Sequence, residues 1–315
     1  MKEPLFMEPI YKDYIWGGTR LKEYLKKDIK TDTAAESWEI STNDAGLSKT
    51  QTGQTLKELF GDETVKEEIF GTKTKNMEEF PLLIKFIDAK DNLSVQVHPD
   101  DEYAFKYEND KGKTEMWYVM DCDEDAKIIC GIKESIKQEE IADITHKGKI
   151  REILNEVPIH KGDVIFIPSG TIHAILKGTL ICEIQQNSNL TYRVYDWDRI
   201  GKDGKPRDLH IQKAIDVIKQ DAKQKIVATS NQEVDISNNV ISCNYFKVDT
   251  ICIGSKYKQT SSKETFEAIM VVDGSGIIKT NGKEYKIKLG DSFIIPASLG
   301  EYEIEGIIIL LKAYL

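Results

Sequence analysis

The 315-residue chain is short of cysteine, histidine and arginine, and each shortage narrows what it can be. Its five cysteines (Cys122, Cys130, Cys182, Cys243 and Cys252) are odd in number and show no CxxC spacing. That excludes a disulfide framework and reads as reduced, mostly buried thiols of a cytoplasmic protein. No apolar run approaches the ~18 residues of a membrane span; the longest, Ile307 to Leu311, has the length of a core strand. The opening Met1-Lys2-Glu3-Pro4 lacks the apolar core of a signal peptide. Basic side chains number 43 against 53 acidic ones, a net charge of −10, which disfavours a nucleic-acid partner. An apolar fraction of 40% with 9% aromatics excludes disorder, and the length suits about two domains.

The scarce residues are unevenly spent. Only five arginines occur, and three of them, Arg193, Arg199 and Arg207, fall within fifteen residues. Where lysine is the default surface charge, such a cluster suggests a need for the planar guanidinium fork. The histidines are 98, 146, 160, 173 and 210, so a constellation that uses two of them is informative.

The elements predicted from apolar periodicity are mostly strands: 35–40, 81–88, 93–98, 114–120, 163–168, 171–176, 179–186, and short strands from about 240 to the end. Helices are expected at 55–60, 64–70, across 135–155 and over about 209–219. An internal repeat orders these pieces. Glu115-Met-Trp-Tyr-Val-Met-Asp121 matches Glu267-Ala-Ile-Met-Val-Val-Asp273, and Gly162-Asp-Val-Ile-Phe-Ile-Pro168 matches Gly290-Asp-Ser-Phe-Ile-Ile-Pro296. The gap between the two motifs is about two dozen residues longer in the first copy, the size of the helical stretch. The fold expected is therefore mainly β, with two copies of one β unit, a barrel or a sandwich, the first carrying an inserted helical segment. The first unit takes 1–130 and 158–205, and the second takes 223–315. A helical insertion spans 131–157, with a helix within 208–222 packing nearby.

Gln96 and His98 sit two apart on one strand and share a face. Lys113 and Glu115 do the same on the next, and His173 follows the Pro168-Ser-Gly170 turn. Converging inside a small barrel, two imidazoles, a carboxylate and a carboxamide suit Zn²⁺ with room for substrate. The alternative is a pair of satisfied core histidines. The second copy speaks against it: Glu301 stands five residues beyond Pro296, where His173 would be, and Thr250 stands at the position of His98. A working copy beside a silent one is the reading that follows. Lys85, alone in an apolar strand, suggests an anionic ligand. His146 and His160 read as surface, and His210 opens a helix.

The Gly162 to His173 run resembles the second motif of the cupin superfamily. Trp16-Gly17-Gly18, Glu36-Ser-Trp38-Glu39, Pro81 to Asp88, Ser94 to Asp100, Lys113-Thr-Glu115-Met116 and Glu183 to Arg193 together look like the type I mannose-6-phosphate isomerases, in their short bacterial form. That resemblance implies two jelly-roll barrels of the cupin type and zinc held by Gln96, His98, Glu115 and His173. It implies sugar-phosphate contacts from Lys85, Ser94 and Trp16, with Lys113, Glu183 and Arg193 as catalytic groups. The activity implied is aldose–ketose isomerisation between mannose 6-phosphate and fructose 6-phosphate. Glu183 and Lys113 are both candidate proton carriers, Lys113 alternatively serving the phosphate by charge alone. Arg199 and Lys205 are both candidates for a further cation. Two other functions compete: a metal-dependent oxygenase of the cupin type, and a sugar-phosphate-binding regulator without turnover. The expected partner is a small sugar phosphate, with no nucleic acid or membrane, and the chain a monomer or weak homo-oligomer.

Overall fold

The computed structural model describes residues 2–201, 204–222, 224–229 and 232–315. It is mainly β, and every paired strand of its three sheets is antiparallel. A seven-stranded sheet runs in the order Lys225–Ala228, Asp163–Ile167, Glu115–Cys122, Thr179–Gln186, Leu82–Ala89, Glu36–Ile40, Ile10–Lys12. A five-stranded sheet runs Tyr192–Tyr195, Val95–Val97, His173–Ile175, Lys127–Ile132, Leu154–Pro158. Side-chain alternation gives the larger sheet two different faces. Ile87, Trp117, Val119, Ile165 and Ile181 pack against Ile128, Cys130 and Ile175 of the smaller sheet. The opposite face, with Ile84, Phe86, Met116, Tyr118 and Ile184, meets Ala268, Met270 and Leu311 of the third sheet. A strand buried on both faces reads as a continuous apolar run, which is why Leu82–Ala89 shows no polar alternation.

The third sheet has nine strands, built around the long strands Glu267–Thr280 and Glu301–Tyr314. Its register reproduces the repeat residue by residue. Trp117 lies opposite Ile165 and Glu183; Ile269, the same two places beyond its motif glutamate, lies opposite Phe293 and Lys312. Both copies also carry a β-bulge at one place, at Val119–Asp121 and Val271–Asp273. Gly162 and Gly290 open the matching strands at φ 91° and 90°, in the left-handed region where glycine is unstrained.

Three features of the structure bear on the expected architecture. Among the described residues the sheets stay open, their strand order never returning to its start, and hydrogen bonds close neither half into a barrel. The division at 223 is crossed twice. Leu5–Glu8 pairs with Ser292–Ile295 of the third sheet, and Lys225–Ala228 pairs with Asp163–Ile167 of the first. Finally, the 131–157 segment begins and ends as strand: Lys127–Ile132 and Leu154–Pro158 pair, and only Gln138–His146 and Ile150–Ile153 between them are helical. Ile141, Ile150 and Ile153 of those helices pack with Ala214 and Val217 of the helix Ile211–Val217, over the outer face of the five-stranded sheet.

Candidate active site

Register explains how distant residues converge. On the five-stranded sheet Gln96 stands between His173 on one side and Arg193 on the other. On the seven-stranded sheet Trp38, Lys85, Glu183 and Trp117 form one row across four strands. Glu36 and Glu115 lie two residues from Trp38 and Trp117, hence on the same face. The two sheets turn these faces toward each other. Between them is a cavity of about 280 Å³ lined by Tyr14, Trp16, Lys85, Ser94, Gln96, Lys113, Glu183, Arg193 and Arg207 among others. A cleft of about 810 Å³ between the two halves, beside Met77, Tyr245 and Phe246, is larger but holds none of the histidines.

Next to the cavity, against its lining residues Gln96 and Lys113, His98, Glu115 and His173 bring their ligating atoms within 4.8 Å of one another, all three buried. His98 Nδ1 bonds the Leu190 carbonyl and His173 Nδ1 the Thr171 carbonyl, both at 2.8 Å. As donors to these carbonyls the Nδ1 atoms keep their protons, which leaves the Nε2 lone pairs directed inward. Those Nε2 atoms lie 3.6 and 3.3 Å from the two Glu115 oxygens. Gln96 adds its carboxamide, 3.3 Å from His173 Nε2.

Burial, reinforced by the charge of Lys113 and by His173, holds His98 well below its usual pKa. Burial likewise brings His173 to about 4, so both rings are neutral at physiological pH. Burial raises Glu115 to about 7 against the opposing pull of Lys113. Both Glu115 oxygens are buried without a hydrogen-bond donor in good geometry. The Lys113 ammonium is nevertheless drawn in, 2.8 Å from Glu115 and 3.2 Å from His98 Nε2. Neutral imidazoles, an under-satisfied carboxylate and a cation already attracted to them fit a divalent metal ion with nitrogen and oxygen ligands.

On the cavity wall, Lys85 is met by the protein's own carboxylates, Glu183 at 3.1 Å and Glu36 at 3.9 Å. Its place in an apolar strand is thus explained without an anionic ligand. The indole of Trp117 donates to Glu183 (3.1 Å) and that of Trp38 to Glu36 (2.6 Å). Burial opposes ionisation of Glu183, but Lys85 and then Lys113 outweigh it and hold the carboxyl at about 2.

Comparison with known proteins decides the kinship. A family profile described as "Phosphomannose isomerase type I, catalytic domain" matches residues 5–124, and "Mannose-6-phosphate isomerase, cupin domain" matches 235–315. The chain is 41% identical over 313 residues, 97% of both chains, to "Probable mannose-6-phosphate isomerase GmuF" of Bacillus subtilis (strain 168). It belongs to the mannose-6-phosphate isomerase family. ManA of the same organism, a mannose-6-phosphate isomerase, is 38% identical over 311 residues, 96% of both chains. The crystal structure of the Bacillus subtilis mannose 6-phosphate isomerase matches with a TM-score of 0.87 at 34% identity, covering 99% of both chains.

Of the ten residues singled out in the sequence of this isomerase-family chain, seven line the cavity, and the other three, His98, Glu115 and His173, cluster against its Gln96 and Lys113. Of Arg199, Lys205 and Arg207, it is Arg207 that lines the cavity. Arg199 instead bonds the Asn92 carbonyl at 2.7 Å and Asp196 at 2.9 Å. His210 does not line the cavity; its Nδ1 accepts from the Arg193 backbone N–H at 3.2 Å and so buttresses that strand. His146 and His160 are exposed. Sequence reasoning passed over Tyr14, Glu36, Asn189 and Thr191 as cavity residues. Glu36, Asn189 and Thr191 lay inside motifs already quoted; Tyr14 carries no local signal.

In the second copy the match of Glu301 to His173 is off by one. Glu301 is exposed, and Tyr302 points inward with its hydroxyl 2.6 Å from Glu267. A phenol therefore satisfies the glutamate that in the first copy faces two imidazoles. The Lys85–Glu183 pair recurs as Asp249–Lys312, also 3.1 Å apart but with its charges exchanged between strands.

Proposed function

We propose that the chain interconverts D-mannose 6-phosphate and D-fructose 6-phosphate by moving a proton between C1 and C2 through an enediol(ate), with zinc as its resident ion. The observation that carries this reading is the cavity itself. A built N/O ligand set adjoins it, and its walls hold lysine and arginine beside carboxylates. Gln96, His98, Glu115 and His173 would hold the ion. When bound, zinc would serve as a Lewis acid for the sugar oxygens.

The chain's own residues divide the remaining work. Efficient proton transfer wants a group whose pKa lies near the working pH. Glu183, at about 2, is a weak base; its charge instead fixes Lys85 on the cavity wall. By its position rather than its titration, we assign proton carriage to Lys113 Nζ, which lines the cavity beside the ligand set. Arg193, opposite Gln96, offers its fork to developing negative charge on the substrate oxygens. Trp16, Ser94 and the buried Lys85 shape the wall around the sugar and exclude water. The facing seven- and five-stranded sheets support a jelly roll of the cupin type, and the repeated register supports a second one. Free thiols at all five cysteines support a cytoplasmic setting.

Two features weigh against the competing functions. The lysine and arginine lining suits an anionic sugar better than an oxygenase substrate, and every polar position a turnover site needs is filled. A coupled assay with mannose 6-phosphate tests the proposal. Activity lost on chelation and restored by zinc, together with a Lys113→Met variant that keeps its zinc but loses at least a hundredfold in kcat, is the expected result. An inactive zinc-loaded protein refutes the isomerase reading. A Lys113→Met change confined to KM moves the proton to another group.

A further inference from the structure

Charge is distributed unevenly around the cavity, and the imbalance says where a phosphate would sit. On the inner wall Lys85 is flanked by Glu183 and Glu36, and Lys113 by Glu115, so three carboxylates face two ammonium groups. Both of those ammonium groups are already spent on the protein's own carboxylates. The outer wall, carried by the segment that follows strand Tyr192–Tyr195, holds guanidinium groups instead. Arg199 and Arg207 bond the carboxylate of Asp196, and Arg193 lies within the influence of Asp196 and Asp208. Among the described residues Arg193 makes no ion pair; its Nη1 donates to the Asp208 carbonyl at 2.8 Å, and its Nε is buried without a partner.

Arg207 is held in a particular way. Its Nε and Nη2 donate to the two Asp196 oxygens at 2.8 and 2.5 Å, which uses one edge of the guanidinium. A guanidinium has five N–H donors, and among the described residues the other edge, with Nη1, remains to be used. The side chain is about one-third exposed and lines the cavity beside Arg193. The two cations are close enough that, after burial, Arg207 is the main influence lowering the Arg193 pKa. Two adjacent guanidinium groups repel unless an anion bridges them.

We infer that Arg207, fixed edge-on by Asp196, anchors the phosphate of the sugar-phosphate substrate, and that Asp196 is its positioning residue. The inference rests on the isomerase reading and adds to it the place of the phosphate end: away from the ligand set, at the arginine wall. A charged hydrogen bond of this kind is worth roughly tenfold to a hundredfold in affinity.

The test measures steady-state kinetics with mannose 6-phosphate, competitive inhibition by inorganic phosphate, and direct phosphate binding by calorimetry, all on zinc-loaded protein. Arg207→Met is expected to raise KM and the phosphate inhibition constant at least tenfold each, with a smaller fall in kcat. Arg207→Lys should recover part of both, and Asp196→Asn should fall between. A purely structural role for Arg207 would lower the melting temperature without this matched loss of phosphate affinity, and that result overturns the inference. So does an unchanged phosphate affinity in Arg207→Met while the unaltered chain isomerises normally; the isomerase reading then stands and Arg207 does not hold the phosphate. If the unaltered chain fails to turn over, the isomerase reading fails, and calorimetry still decides Arg207: phosphate binding lost in Arg207→Met supports the arginine site, and binding retained refutes it.

Discussion

Replacing Lys85 by methionine tests the electrostatics of the cavity wall on stability alone. Lys85 and Glu183 are both almost fully buried and 3.1 Å apart. Glu183 has a folded-state pKa of about 2 against an ordinary 4.5. A carboxyl depressed on folding stabilises the protein fully above its unfolded value, and that contribution fades as pH falls through the folded value. The gap corresponds to about 3 kcal/mol at pH 7, a figure that matches the ~3–5 kcal/mol typical of breaking a buried pair by removing one partner. Lys113 remains in the variant and also lowers Glu183, so part of the stabilisation should survive. We expect Lys85→Met to cost about 2–3 kcal/mol at pH 7, measured by urea denaturation of metal-free protein followed by tryptophan fluorescence. At pH 3 the difference from the unaltered chain should shrink markedly, because the unfolded glutamate is then largely protonated and the folded one gains less from its partner. A cost below 1 kcal/mol at pH 7, or one that does not change with pH, would refute the argument.

The silent copy predicts the opposite split between stability and activity. Lys312→Met leaves the buried Asp249 without its ammonium and should destabilise by about 3 kcal/mol, while kcat measured below the unfolding transition stays within twofold. Tyr302→Phe removes the hydroxyl that meets Glu267 and should cost about 1–3 kcal/mol in denaturant titration, again without a kinetic effect. Thr55→Ala breaks the capping box with Glu58 at the start of helix Leu56–Gly61, and a loss of about 1 kcal/mol in the same titration is expected.

Much of the site was legible because scarce residue types were placed at strand spacing. Gln96 and His98 share a face by alternation, and the silent copy marks His98 and His173 as chemical rather than structural. Strand Thr179–Gln186 is found with its predicted bounds because its run is apolar and flanked by turns. Register was the part that stayed hidden. Counting from Pro296 selects Glu301, but the chain enters its strand one residue later relative to the sheet, and Tyr302 takes the inward place. A shift of one residue exchanges faces, and spacing from a distant proline does not see it. Arg207 was visible only as one of three clustered arginines, and its place at the cavity was not: it sits outside a regular strand and is held by Asp196, eleven residues earlier. The short strands Leu5–Glu8 and Lys225–Ala228 owe their sheets to partners far away in sequence, which no local pattern encodes.

The pairing of Leu5–Glu8 with Ser292–Ile295 has a consequence in time. Phe6 lies opposite Phe293, so this strand leaves the ribosome well ahead of the partner it needs. At roughly 5–20 residues per second that is a wait of about 15–60 s. Its other edge is met early by Lys49–Thr50, but the edge meant for Ser292–Ile295 stays unpaired throughout, open to other nascent chains. Ile10–Lys12, a few residues on, pairs with Glu36–Ile40 and is spoken for early. One short stretch of chain thus takes part in both early and late steps of assembly.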